Sequence, residues 1–350
     1  MKILIDARLY GLENAGLGRY TLALIEELEK DLENRYVVLL RKKYFNRLKF
    51  GPNWKKVLAE FRHYSLLEQV KLPSIIAKEK PDLVHFLHFN VPIFYSGKFV
   101  VTIHDVLMHK QRGRMATTLP LPIYYLKYLA YRLVFKKAVR QAKKIIVPSK
   151  YVKKEILSYY QFDQDKIEVI YEGVNEKIGS NINNKIAAKY KLELPYFIYV
   201  GNAYPHKNLN RAIEAIAGVN RKQKQKVILV IVSSRGVFSK RLSKSITNLK
   251  AEKYIKLLGF VPDSDLGSLY KHSLGFLYPS LSEGFGLPGL EAMLAGTLVL
   301  ASDIPVFKEI YQDSAIYFNP YDFSSITRTL EDVLQFSPGR RRRMIEKAQK

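Results

Sequence analysis

Two glutamates eight positions apart, Glu283 and Glu291, flank a glycine-rich turn in the stretch YPSLSEGFGLPGLEAMLAG, Tyr278 to Gly296. Carboxylates so placed can accept hydrogen bonds from the hydroxyls of a sugar or ribose. Between them, Gly284 and Gly286 carry no side chain, so the backbone N–H groups of Phe285 to Leu287 can approach a ligand closely. The start of the following helix adds partial positive charge. That combination suits a diphosphate. Each glutamate also has a plainer reading, Glu291 as an acid favoured near a helix N-terminus and Glu283 as a solvated loop charge. A second string, GNAYPHKNLNRAIEAI from Gly201 to Ile216, places Lys207 just before a helix, where its ammonium can reach a diphosphate as a point charge.

These residues need elements to position them. Leu274 to Pro279 is a short apolar run that suits a buried strand, and Pro288 followed by Leu290, Met293 and Leu294 starts a helix with an apolar face. Tyr196 to Val200 is a strand ending at Gly201, and Ala212, Ile213 and Ile216 mark the helix after it. Both sets of candidates therefore lie beyond the carboxyl ends of strands, where doubly wound sheets bind ligands. In the first half, Lys2 to Ala7, Tyr36 to Leu40, Asp82 to Phe86, Phe99 to His104 and Ile145 to Pro148 read as strands, with an amphipathic helix over Tyr20 to Lys30. Gly16 and Gly18 supply only half of a dinucleotide fingerprint, and Tyr36 to Leu40 runs into Arg41, Lys42 and Lys43 rather than an acid, so an NAD site is a poor fit. His85, His88 and His104 lack a helical His-x3-His spacing, which argues against zinc; His88 reads as a cleft or core histidine with a satisfied hydrogen bond.

Taken whole, EGFGLPGLEAMLAG resembles the Glu-x7-Glu signature of the retaining, nucleotide-sugar-dependent glycosyltransferases of family 4. The resemblance implies an α/β chain of GT-B fold, two Rossmann-like doubly wound domains facing a cleft, with no cofactor and no obligatory metal. PHKN resembles the family's PxKN-like string. Asn202 stands where many members carry an Arg after Gly201, which leaves Lys207 as the clearest cationic ligand of the diphosphate and Arg211 as a substitute. LLGFVPDSDLGSLY resembles the loop whose backbone meets the nucleotide base, near Gly259, Phe260 and Val261. AGLGRY resembles a glycine loop close to the donor phosphates and would place Gly16 there, unless its glycines serve only a tight turn. A THD-like string makes His104 a sugar-side contact beside Asp105. On this resemblance Glu283 holds donor-sugar hydroxyls, Glu291 the ribose, and Lys207 with the 285–287 backbone the departing diphosphate. Leu298 replaces a Pro usual in the family, a change expected to touch packing.

The same resemblance divides the chain into an acceptor-side domain over 1–173, a linker over 174–195 and a donor domain over 196–350. It also implies a further cross-over helix that is expected beyond Lys350. The function implied is transfer of a hexosyl group, mannose from GDP-mannose favoured, to a glycan or lipid-linked acceptor. A nucleotide-sugar epimerase of the same fold is the nearest alternative.

Charge leaves partners open. The 350 residues carry a formal net charge of +25, which fits an anionic membrane surface, nucleic acid or an anionic donor. No nucleic-acid motif accompanies it, so a basic nucleic-acid-binding protein is the weaker alternative. There is no cysteine, no signal-peptide layout at the N-terminus and no apolar run long enough to span a bilayer, so the expectation is a cytoplasmic protein. LPLPIYYLKYLAYRLVFKKAVRQAKK, residues 119–144, reads as a helix with Leu126, Leu129, Leu133 and Val134 on one side and basic residues elsewhere. Such a helix suits the inner face of an anionic membrane as a peripheral anchor, or a core-facing helix with a solvated basic face. Two Asp-x-Asp strings, Asp163 to Asp165 and Asp263 to Asp265, read as helix caps rather than metal ligands, with Asp263 as an N-cap. Arg340 to Arg343 form a charge run in the first turn of a last helix, against its dipole.

Overall fold

The computed structural model describes residues 1–110, 117, 119–180, 182–233 and 237–350. The chain divides into two compact units, Met1–Glu172 and Gly173–Lys350.

The first unit is built on seven strands, β1 Lys2–Asp6, β2 Arg35–Leu40, β3 Trp54–Leu58, β4 Leu83–Phe86, β5 Phe99–Thr102, β6 Lys144–Val147 and β7 Ile167–Val169. They form one parallel sheet in the order β3-β2-β1-β4-β5-β6-β7. The second unit repeats the plan with β8 Tyr196–Val200, β9 Ile228–Val232, β10 Ile255–Leu257, β11 Gly275–Tyr278, β12 Val299–Ser302 and β13 Ile316–Phe318, in the order β10-β9-β8-β11-β12-β13. A parallel sheet is covered by helices on both faces, so its central strands are apolar throughout: all five residues of β9, ILVIV, are buried. Each such side chain contributes roughly 1.5–3 kcal/mol on leaving water. In each sheet the strand order reverses once, between β1 and β4 and between β8 and β11. Chain leaving those neighbours meets at the carboxyl edge.

Four sequence expectations change. The first helix starts at Ala15 and runs to Leu28, so AGLGRY is helical rather than a loop. The tight turn falls to Gly11 at φ +113, and Gly18 is required because a Cβ there would sit 1.9 Å from the Gly11 carbonyl oxygen.

The 174–195 segment, expected as a linker, packs into the second unit; its residue 181 lies outside the described residues. Ile178 and Ile186 are buried. The Asn183 N–H donates to Ser268 Oγ at 2.8 Å, and Lys189 Nζ and Tyr190 Oη both donate to Asp265 Oδ2 at 2.6 Å. Two isoleucines with apolar cover outweigh a polar composition.

Asp263 is the first residue of the helix Asp263–Lys271 and Pro262 occupies the cap without a side-chain hydrogen bond. The Asp163 carboxylate does cap, accepting from the Asp165 N–H. Among the arginines of the last helix, Pro338–Ala348, Arg341 turns inward and donates to the Ser273 and Leu274 carbonyls.

The fourth change concerns the helix Leu121–Gln141. Val134 is buried with Tyr131, Phe135, Ala138 and Val139, whereas Leu126, Leu129 and Leu133 face outward. Positions 126, 129 and 133 share one stripe at helical spacing, and Val134 lies a hundred-degree step away on the stripe that packs on the sheet.

Candidate active site

The strand β8 ends at Gly201, whose φ of +150 only glycine adopts without strain, and a single 3-10 turn, Pro205–Lys207, follows. The neighbouring β11 ends at Tyr278 and leads to Glu283. Adjacency of β8 and β11, with Gly275 opposite Phe197 and Phe276 opposite Ile198, carries both loops to the same edge. There the Leu281 N–H donates to the His206 carbonyl at 2.8 Å, and Lys207 Nζ lies 2.6 Å from Glu283 Oε1.

This ion pair is 12% exposed on the lysine and 10% on the glutamate. Burial alone would raise the Glu283 carboxyl, but the Lys207 ammonium outweighs it and holds the carboxyl below its ordinary value. The ring of Tyr278 lies 6.0 Å from Lys207 Nζ. Burial, and then the Glu283 charge, push the Tyr199 and Tyr278 hydroxyls far above their usual range, so both stay protonated. Next to the pair, burial and the Lys207 charge press the His206 imidazole down to about 4. The result is a largely buried ion pair at the carboxyl edge of the second sheet.

Gly286 caps the helix Leu287–Leu294 at φ +117, with no side-chain cap on that N-terminus. Its carbonyl accepts from Tyr311 Oη at 2.6 Å, and a Cβ on Gly286 or Gly289 would meet that oxygen at 2.3 or 2.4 Å. Close packing of Tyr311 therefore demands both glycines for structural reasons, besides any ligand. Phe285 is buried, as is Glu291, which lies in the second helical turn with Tyr270 Oη 3.4 Å from its Oε2.

Arg211 pairs with Glu214 at 2.9 Å on an exposed helix face, not with the loops at 201–207 and 281–286. Gly259 has a φ of +70 and a Cβ on it would meet only open space, while Phe260 is 65% exposed and Val261 is buried. Gly16 lies in the first turn of its helix with nothing within 4 Å of a Cβ.

His104 is held inside the first unit. Its Nδ1 lies 3.0 Å from Glu172 Oε1 and its Nε2 3.1 Å from the Leu87 carbonyl, with the Tyr20 ring edge-on at 4.6 Å. Burial lowers its pKa, but Glu172 prevails and the net shift is upward. His88 has the expected hydrogen bond through Nε2, 3.4 Å from Tyr64 Oη, while its Nδ1 is buried without a partner.

Sequence reasoning passed over one buried network. Arg8 Nε and Nη2 bond the Asp6 carboxylate at 2.7 and 2.6 Å, Nη2 also reaches Glu68 Oε1 at 2.7 Å, and Asn90 donates to Glu68 Oε2 at 2.7 Å. The available signal was the Asp-x-Arg at the end of β1, next to the point where strand order reverses.

Residues 15–177 match the family described as Glycosyltransferase Family 4, and residues 182–350 match Glycosyl transferases group 1. The chain belongs to the family 4 glycosyltransferases. It is 31% identical over 258 residues to the O-antigen chain mannosyltransferase RfbU of Salmonella typhimurium, across 72% of this chain and 65% of that protein. It is 25% identical over 365 residues to the O-antigen chain mannosyltransferase B of Escherichia coli, across 96% of this chain and 91% of that one. The chain thus spans just under two thirds of the first relative's length and most of the second's. Its fold is shared with the Anabaena protein HepE, solved in complex with UDP and glucose, at a TM-score of 0.74 and 19% identity, covering 100% of this chain and 94% of that one. Two Rossmann-like units of parallel sheet, the GT-B plan, are what this glycosyltransferase chain and that structure have in common.

Proposed function

We propose that this glycosyltransferase moves a hexosyl group, mannose in preference, from a nucleoside diphosphate sugar to a glycan or lipid-linked acceptor with retention at the anomeric carbon. The observation that carries the reading is the buried Lys207–Glu283 pair beside the uncapped N-terminus of the helix Leu287–Leu294. As the donor's glycosidic bond breaks, negative charge grows on the diphosphate. Lys207 and the N–H groups of the 285–287 backbone neutralise it, an electrostatic contribution that can dominate catalysis in a dry site. A diphosphate arriving near Lys207 shares the ammonium and frees Glu283 to accept hydrogen bonds from sugar hydroxyls, while Glu291 takes the ribose. Charge neutralisation by Lys207 asks for no metal. The two mannosyltransferase relatives support mannose as the transferred sugar, and GDP-mannose as its donor.

An anionic membrane at the cytoplasmic side is the partner this reading favours for the first unit. Leu126, Leu129 and Leu133 are 70%, 58% and 50% exposed on one stripe, with Lys127, Lys136 and Arg140 also exposed on the same helix. Apolar insertion and attraction of lysine and arginine to anionic headgroups act together on such a face. No helix among the described residues is long and apolar enough to cross a membrane.

The test is thermal unfolding with GDP, UDP and ADP and their hexose conjugates, in the wild type and in Glu291→Gln. At about a hundredfold over Kd a nucleotide adds roughly 2.7 kcal/mol, several degrees in Tm. A shift for one nucleotide that Glu291→Gln shrinks supports the donor site; no shift with any of them overturns it.

A further inference from the structure

Tyr311 ends the helix Pro305–Tyr311 and is buried, with its ring stacked on Phe307 at 5.0 Å and Phe307 in turn against Tyr278 at 4.6 Å. Tyr278 is the last residue of β11, so the three rings form a column from the end of that strand to the turn at Gly286. There the Tyr311 hydroxyl donates to the Gly286 carbonyl at 2.6 Å. Burial, and then the Glu283 charge, push the hydroxyl well above its usual range, so it remains a donor.

The carbonyl does not need that bond to be satisfied. It already accepts from the Gly289 N–H at 3.0 Å, within the first turn of the helix Leu287–Leu294. A phenylalanine would complete the same column of rings, so packing accounts for the ring and not for the hydroxyl.

What the hydroxyl fixes is direction. A peptide unit is planar and trans, so its C=O and N–H point opposite ways. The Gly286 carbonyl shares its peptide with the N–H of Leu287, the first helical residue, which has no acceptor within the helix. Two donors, Tyr311 Oη and the Gly289 N–H, hold the carbonyl towards the helix body and thereby turn the Leu287 N–H out past the N-terminus. Glycine at 286, with φ at +117, makes such a pin necessary, because a residue without a Cβ lets that peptide turn over with little steric resistance.

We propose that Tyr311 is a positioning residue for donor binding: its hydroxyl locks the 286–287 peptide so that the Leu287 N–H is aimed at the terminal phosphate of the nucleoside diphosphate. This role rests on the donor reading of the Lys207–Glu283 site and lies wholly within the second unit. The diphosphate meets a donor already in place, and binding does not have to order the turn.

The experiment is calorimetric titration of the full chain, as wild type, Tyr311→Phe and Tyr196→Phe, with GDP, UDP and ADP and their monophosphates, well below Tm. Tyr196 is the control: its buried hydroxyl also donates to a carbonyl of the second unit, that of Leu269 at 2.8 Å, but from the amino end of β8. Tyr311→Phe keeps the rings and leaves the Gly286 carbonyl bonded to Gly289, so it should fold. The expected result is at least about a tenfold weaker affinity for the diphosphate in Tyr311→Phe, about 1.4 kcal/mol, with the monophosphate within about twofold and both unchanged in Tyr196→Phe. Unchanged diphosphate affinity in Tyr311→Phe overturns the role. An equal loss for diphosphate and monophosphate, or an equal loss in Tyr196→Phe, overturns it too, since either marks a general loosening of the unit. Failure of the donor reading appears separately, as absence of binding by the wild type, and takes this role with it.

Discussion

Lys207 Nζ and Glu283 Oε1 meet at 2.6 Å across 76 positions of sequence, and both side chains are almost wholly out of water. Two loops from neighbouring strands are thereby tied by one ion pair. A lone charge left there would be severely destabilised.

Removal of one partner should therefore cost more than removal of both. Lys207→Met or Glu283→Gln is expected to lose about 3–5 kcal/mol if a charge is left buried, and the double variant less than the sum. The Glu283 carboxyl is held below its ordinary value, so the stability it contributes is present above the unfolded pKa near 4.5 and is lost as pH falls through the lowered folded value. Urea unfolding of the four proteins at neutral and acid pH measures both effects. Additive losses would show that the pair is not coupled.

Gly286 and Gly16 should respond in opposite directions to alanine. Gly286→Ala places a Cβ 2.3 Å from Tyr311 Oη on a backbone at φ +117, and a loss above about 1 kcal/mol is expected. Gly16→Ala meets open space at an ordinary helical position and should add about 0.5–1 kcal/mol. Thermal unfolding separates the two. Because Gly16→Ala stays folded, its nucleotide affinity also reads whether the donor comes close to Gly16: a loss places it there, and no loss removes it from the site.

Burial, helped by the charge of His104 or Lys207 respectively, holds the imidazoles of His85 and His206 at about 4. The unfolded chain binds a proton at each below about pH 6.5 while the folded chain does not, so stability falls as pH drops from 6.5 towards 4. Each contributes a slope of about 1.4 kcal/mol per pH unit. His104 acts oppositely: its raised pKa, due to Glu172 against the effect of burial, gives stability that is present below 6.5 and lost as pH rises through the folded value. His206→Asn should flatten the acid slope of the second unit's unfolding transition. An unchanged slope would mean that His206 is protonated in the fold.

The outward leucines give a test without a stability penalty. Leu126→Ser/Leu129→Ser/Leu133→Ser should leave Tm within a degree or two but abolish sedimentation with vesicles rich in anionic phospholipid, since each leucine brings roughly 1.5–3 kcal/mol of burial. Phe135→Ala on the opposite face should instead cost about 3–5 kcal/mol. Vesicle binding by the triple variant equal to that of wild type would exclude this face.

What the sequence determined by itself was local: apolar runs such as ILVIV and GFLY, the Gly-Phe-Gly-Leu-Pro entry to a helix, and the signature from Glu283 to Glu291 all act through neighbours a few positions apart. These settled the strand and helix types, the parallel α/β class and the family. What only tertiary structure decided was distant pairing. Strand order joins Lys207 to Glu283 and Arg8 to Glu68, and no spacing along the chain records that order. Burial likewise turned Leu126, Leu129 and Leu133 to solvent and Val134 to the core, because periodicity names a stripe but not the surface it meets. Ile178 and Ile186 found cover on the second unit for the same reason, and a segment that read as a linker became part of a fold.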